Sequence, residues 1–107
     1  MDNYIMIICS LASPITRMNG ISVIGCNVSQ NNKTEPIKVI GVSEFVQKKM
    51  KEYMHSANIG LRMLIQGSLI LGERVITINA TDITLIDSFD IEEEKIYMSG
   101  EIDFIAD

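Results

Sequence analysis

The residue types that most often carry chemistry are thinly spread in this chain. There is one histidine, His55, and there are two cysteines, Cys9 and Cys26. Nucleophilic catalysis needs a nucleophile beside a base, and a structural zinc needs four nitrogen or sulfur ligands; one histidine and two cysteines supply neither. His55 falls near the expected end of a helix, where a protonated imidazole suits the dipole, and that structural role accounts for it. No Gly-x-x-x-x-Gly-Lys-Ser/Thr or Gly-x-Gly-x-x-Gly loop is present to cradle a phosphate. Glu92-Glu93-Glu94 has the charge for a hard cation, but three successive carboxylates do not converge on one ion in regular structure, so a solvated charge run is the simpler reading. No catalytic residue, metal or cofactor is expected.

Charge is more informative. The net charge is −5, from 9 basic and 14 acidic residues. From residue 87 onward 8 acids face one base, Lys95, giving −7, while residues 1–86 hold 8 bases and 6 acids, giving +2. A slightly basic body is thus joined to a strongly acidic C-terminal segment. That segment suits a solvated tail, an arm that folds back over the body, or one more element packed on it. The bases are Arg17, Lys33, Lys38, Arg62 and Arg74 on expected strands and loops, with Lys48, Lys49 and Lys51 on a helix. Phosphate contact needs such charges gathered on one face. Lys33 and Lys38 flank the entry to the third strand and can share a groove, whereas the helix lysines are expected below it. Ordinary solubility explains the same residues equally well.

These side chains must be held by short elements. A chain of 107 residues, 47% of them hydrophobic, fits one domain with a real core. No apolar run nears the roughly 20 residues of a membrane helix. Residues 5–12 are apolar enough for a signal core, but Met1-Asp2-Asn3-Tyr4 ahead of them has an acid and no base, so a strand and a cytoplasmic chain are expected. Two cysteines make no disulfide framework; they are expected to pack as small apolar side chains in neighbouring strands.

Strands are expected over residues 4–11, 21–29 and 37–42. Ala12-Ser13-Pro14 should end the first, and Thr16 to Gly20 reads as a turn because Asn19-Gly20 tolerates positive φ. Gly25 suggests a bulge or bend, and Gln30 to Pro36 a polar loop. A helix follows, capped by Ser43, with Phe45, Val46, Met50, Tyr53 and Met54 as one apolar stripe. Two further strands, residues 61–71 and 74–86, flank a tight Gly72-Glu73 turn. Five strands with one helix between the third and fourth is the layout of an all-β OB-fold, a five-stranded Greek-key barrel plugged by its helix. The expected division is a barrel over residues 1–87 and an acidic extension over residues 88–107.

The stretch from Ile37 through Gly41, Tyr53 and Gly60 to Leu69, with Asn3 to Leu11 and Pro14 before it, resembles bacterial single-stranded-DNA-binding proteins and their primosomal relatives. The resemblance covers about residues 3–86. It implies an OB-fold accessory protein of replication, recombination or a mobile element, with single-stranded DNA and replication or recombination proteins as partners, assembled as a homodimer or homotetramer. The alternative is an OB-fold protein-interaction module without nucleic-acid binding, using adaptable methionines. Sequence-independent binding stacks bases on rings above a positive groove. Here there is no tryptophan, and Pro36 and Val42 stand where the family places aromatic residues on its third strand. Its acidic tail ends in Pro-Phe, whereas this chain ends Phe104-Ile105-Ala106-Asp107. The expected interface is therefore weak and driven by charge: Tyr4, Arg17, Lys33, Lys38, Arg62 and Arg74. The first strand, apolar on both faces, is the expected oligomer contact.

Overall fold

Asn19 and Gly20 both adopt positive φ, 53° and 78°, and so fold the chain back between two strands of matching twist. The computed structural model describes residues 4–86, and the acidic extension expected over residues 88–107 lies outside them. Strand β1 (Tyr4–Met18) leads through that turn into β2 (Ile21–Gln30), and Asn31-Asn32, with φ 53° and 63°, turns β2 into β3 (Lys33–Gly41). Helix α1 (Glu44–Tyr53) and a 3₁₀ turn at Ser56–Asn58 precede β4 (Arg62–Ile70) and β5 (Ile76–Leu85).

The five strands close into a barrel in the order β1-β2-β3-β5-β4. The β3–β5 pairing is parallel, from Ile37↔Ile76 to Ile40↔Asn79, and the other four are antiparallel. Strand β1 serves two neighbours in turn: Tyr4 to Ser10 pair with β4, and Ser10 to Met18 with β2. It does not stop at Pro14. Its pairing slips between Leu11 and Ser13 and again between Ser13 and Thr16, opposite Gly25. A proline without an N–H is tolerated at such an irregularity. The expected bend at Gly25 is real, and Gly25 N donates to Ser13 Oγ at 3.0 Å. The Gln30 to Pro36 loop proves to be a hairpin tip, and residues 71–75 make a longer β4–β5 connection than the two-residue turn expected.

Gly67 shows why one position must lack a side chain. A Cβ there would lie 2.2 Å from the Asn79 carbonyl oxygen, because β4 and β5 approach closely where their register shifts. Inward residues such as Ile24, Cys26, Val39, Ile65 and Ile78 fill the barrel. Val46, Met50 and Met54, one per helical turn, are fully buried and plug one end. Burying each such side chain stabilises the fold by about 1.5–3 kcal/mol. Ser43 Oγ accepts from Val46 N at 3.2 Å, as its cap position requires.

Phe45 and Tyr53 do not join the plug; they are 56% and 36% exposed. A helix turns about 100° per residue, which carries Phe45 off the line through Val46. Tyr53 is the last helical residue, at the rim. Cys9 and Cys26 are reduced and buried on neighbouring strands. A hydrogen bond between the thiols, and then burial, hold Cys9 far above the ordinary thiol pKa, which keeps it unreactive.

Candidate nucleic-acid interface

The outward residues of β2 and β3 form a continuous antiparallel surface. Val23 faces Ile40, Gly25 faces Lys38 and Asn27 faces Pro36 across the ladder. No aromatic ring stands there. Its one cation, Lys38, pairs with Glu73 of the β4–β5 connection at 3.7 Å. Lys33 sits at the hairpin tip opposite Gln30. It is five residues from Lys38, and strand alternation therefore turns the two to opposite faces of β3.

The other expected residues are spread around the barrel. Arg74 is exposed beside Glu73 in the β4–β5 connection. Arg62 opens β4 opposite Ser10 and lines a notch of about 140 Å³ with Ile8, Asn27 and Ser29, where β1 and β2 diverge. Tyr4 is on the β1–β4 side, 43% exposed, and its hydroxyl donates to Gln66 Oε1 at 2.5 Å.

Arg17 shares a cleft with two other cations. Near the end of β1, it forms one wall of a cleft of about 870 Å³ whose other lining is Val42, Glu44, Phe45, Gln47, Lys48 and Lys51. Lys48 and Lys51 of the helix, expected away from any groove, thus line a cleft beside an arginine near the end of a strand. Gln47 fixes its walls: Nε2 donates to Gly20 O at 3.0 Å and to Val42 O at 2.9 Å, tying the helix to the β1–β2 turn and to the end of β3. Among the described residues Arg17, Lys48 and Lys51 make no ion pair.

Lys49 points elsewhere. Its Nζ donates to Asp82 Oδ1 and to Ile83 O, both at 2.8 Å, and lies 4.8 Å from the centroid of the Phe45 ring. The Lys49 hydrogen bond, helped by one from Ile83 N, holds Asp82 below the usual carboxylate range despite some desolvation. The same lysine therefore staples α1 to β5 and steadies an exposed ring. No group of three or more potential metal ligands occurs among the described residues.

Comparison with solved structures decides the fold. The chain matches the mitochondrial single-stranded DNA binding protein Rim1 of S. cerevisiae with a TM-score of 0.66 at 14% identity, over 81% of this chain and 98% of that one. It matches the SSB domain of a Synechococcus sp. protein with a TM-score of 0.64 at 10% identity, over 78% and 96%. It matches a chain of the S. pombe Stn1-Ten1 complex with a TM-score of 0.71 at 13% identity, over 97% and 71%. The chain is a divergent OB-fold. No family model matches the sequence, and no curated protein matches it. The OB-fold explains the half-paired β1: residues before Ser10 take β4 on one edge and no described strand on the other. No helix of the described residues is long and apolar enough to cross a membrane.

Proposed function

We propose that this OB-fold is a non-enzymatic, single-stranded-DNA-binding-like accessory protein of replication, recombination or a mobile element, acting in the cytoplasm. Binding is weak and independent of sequence. The observation that carries this reading is the charge of the barrel: residues 4–86 hold 8 bases and 5 acids, in a fold shared with a protein named for binding single-stranded DNA. The β2–β3 face offers no ring for stacking, so attraction to phosphates supplies most of the affinity and makes it salt-dependent. Arg17, Lys33, Lys38, Arg62 and Arg74 are the expected barrel contacts, with Tyr4 contributing less. Fluorescence anisotropy with labelled oligo-dT tests the reading. Binding that is clear at low salt and falls at physiological salt is expected; no binding at low salt contradicts it.

The half-paired β1 supports a homodimer or homotetramer through that strand, since an open edge invites a second strand. Tyr4 and Met6 fall on its outer face, and Ile5, Ile7 and Cys9 pack on the core on its inner one, so it is apolar on both. Light scattering at micromolar concentration should exceed 11.9 kDa, and a clean monomer of that mass rejects the assembly.

A second reading, an OB-fold protein-interaction module for replication or recombination proteins, draws on one observation. Leu71, Val75 and Ile76 stand exposed around the β4–β5 connection, Leu71 at 76%. Persistent failure to bind oligo-dT favours it.

A further inference from the structure

The cleft between the β1–β2 turn and α1 has a composition the β2–β3 face lacks. Arg17 stands on one wall and Lys48 and Lys51 on the other, none of them ion-paired among the described residues, with Glu44 the one acid in the lining. Phe45, Lys48 and Lys51 recur every three residues and so form one ridge along the helix, with about 5–6 Å between successive Cβ atoms. The ring at the head of that ridge is more than half exposed, and Lys49, itself anchored to Asp82 and Ile83 O, holds it in place.

We infer that this helix-side cleft is a single-stranded nucleic-acid contact site, with a base stacked on Phe45 and successive phosphates held by Arg17, Lys48 and Lys51. The inference rests on the nucleic-acid reading above and goes beyond it, because it moves the main contact off the β2–β3 face. A ring above a row of cations is what sequence-independent binding of a single strand requires. An acidic peptide would use the same charges, but a peptide anchor side chain needs an enclosed apolar pocket. Val42, which lines the cleft, and Phe45 are both half exposed, so the ring offers its surface and encloses nothing. Gln47 holds both walls to the barrel, which lowers the ordering cost of binding.

The sequence contains no tryptophan, so Phe45→Trp in the full chain places a single indole at the site. Oligo-dT should quench the emission of that indole with the same midpoint that anisotropy reports. Phe45→Ala should weaken binding roughly tenfold. Arg17→Glu with Lys48→Glu and Lys51→Glu should weaken it further and lower the slope of log affinity against log salt by about 2, at roughly 0.7 for each phosphate no longer neutralised. These side chains are exposed, so each variant should keep the wild-type unfolding midpoint. Binding by wild type with no quenching and no loss in the variants overturns this site and leaves the proposed function standing. No binding by wild type at low salt overturns both. Quenching by a Glu-rich, Phe-containing peptide but not by oligo-dT assigns the cleft to a protein partner and overturns the inference.

Discussion

The β2–β3 face and the helix-side cleft are two surfaces of one barrel, and the fold treats them differently. On the sheet face every second residue is committed to the interior, and the outward ones, Val23, Gly25, Ile40 and Pro36, continue the ladder without charge or ring. Its one lysine is already tied to Glu73. On α1 the barrel buries only Val46 and Met50, with Met54 at the C-cap, and ties down Gln47 and Lys49, which leaves room for an exposed ring and for two lysines that form no ion pair among the described residues. A shared fold supplies a scaffold; where contacts lie on it depends on which positions the core leaves available.

The strongest way to disturb this contrast is to remove the plug. Met50→Ala should destabilise the protein by about 2–5 kcal/mol in urea unfolding, because it leaves a cavity between helix and barrel. Phe45→Ala, five residues away but outward, should change stability by no more than about 0.5 kcal/mol while lowering oligo-dT affinity roughly tenfold. An equal stability loss for the two would erase the distinction between inner and outer helix faces. On the sheet side, Lys38→Glu should lower affinity by about threefold or less, since Lys38 is already neutralised by Glu73. A larger loss than at Phe45 would return the site to β2–β3. Tyr4→Ala should matter less still in anisotropy.

The smallest effect concerns the staple beneath the ring. Asp82 titrates below its ordinary value because Lys49 hydrogen-bonds its ionised form. Its folded-state pKa is lowered, so the stabilisation is present above about pH 4 and is lost as pH falls through the folded value. Asp82→Asn should flatten that part of the acid unfolding curve. The side chain is 38% exposed and the pair is screened, so the change in thermal unfolding at pH 7 should stay within about 1 kcal/mol.

The barrel is legible in the sequence because its signals are local. Asn19-Gly20 marks a turn, Ser43 marks a helix start, and isoleucine-rich runs mark strands. Asn31-Asn32 is hidden within a uniformly polar stretch, whose composition resembles a loop although both asparagines adopt the left-handed conformation that a tight hairpin needs. Pro14 reads as a strand end, and only the slipped pairing opposite Gly25 shows how β1 passes it. The cleft is the least legible part. Phe45 beside Val46 looks like core at a spacing that admits both, and only the narrowness of a plug served by one residue per turn puts it outside. Arg17 and Lys48 are 31 positions apart, and the meeting of their elements depends on Gln47 bridging the helix to Gly20, a tertiary link with no spacing signature.

The inferred path of a single strand on this OB-fold runs along α1 and the β1–β2 turn. Adding oligo-dT to the ¹⁵N-labelled protein at low salt and following backbone amide shifts tests it most directly. The largest changes should map to Arg17, Phe45, Lys48 and Lys51, with small ones on β2–β3. Dominant shifts at Val23, Lys38 and Ile40, with the helix amides unmoved, would contradict it.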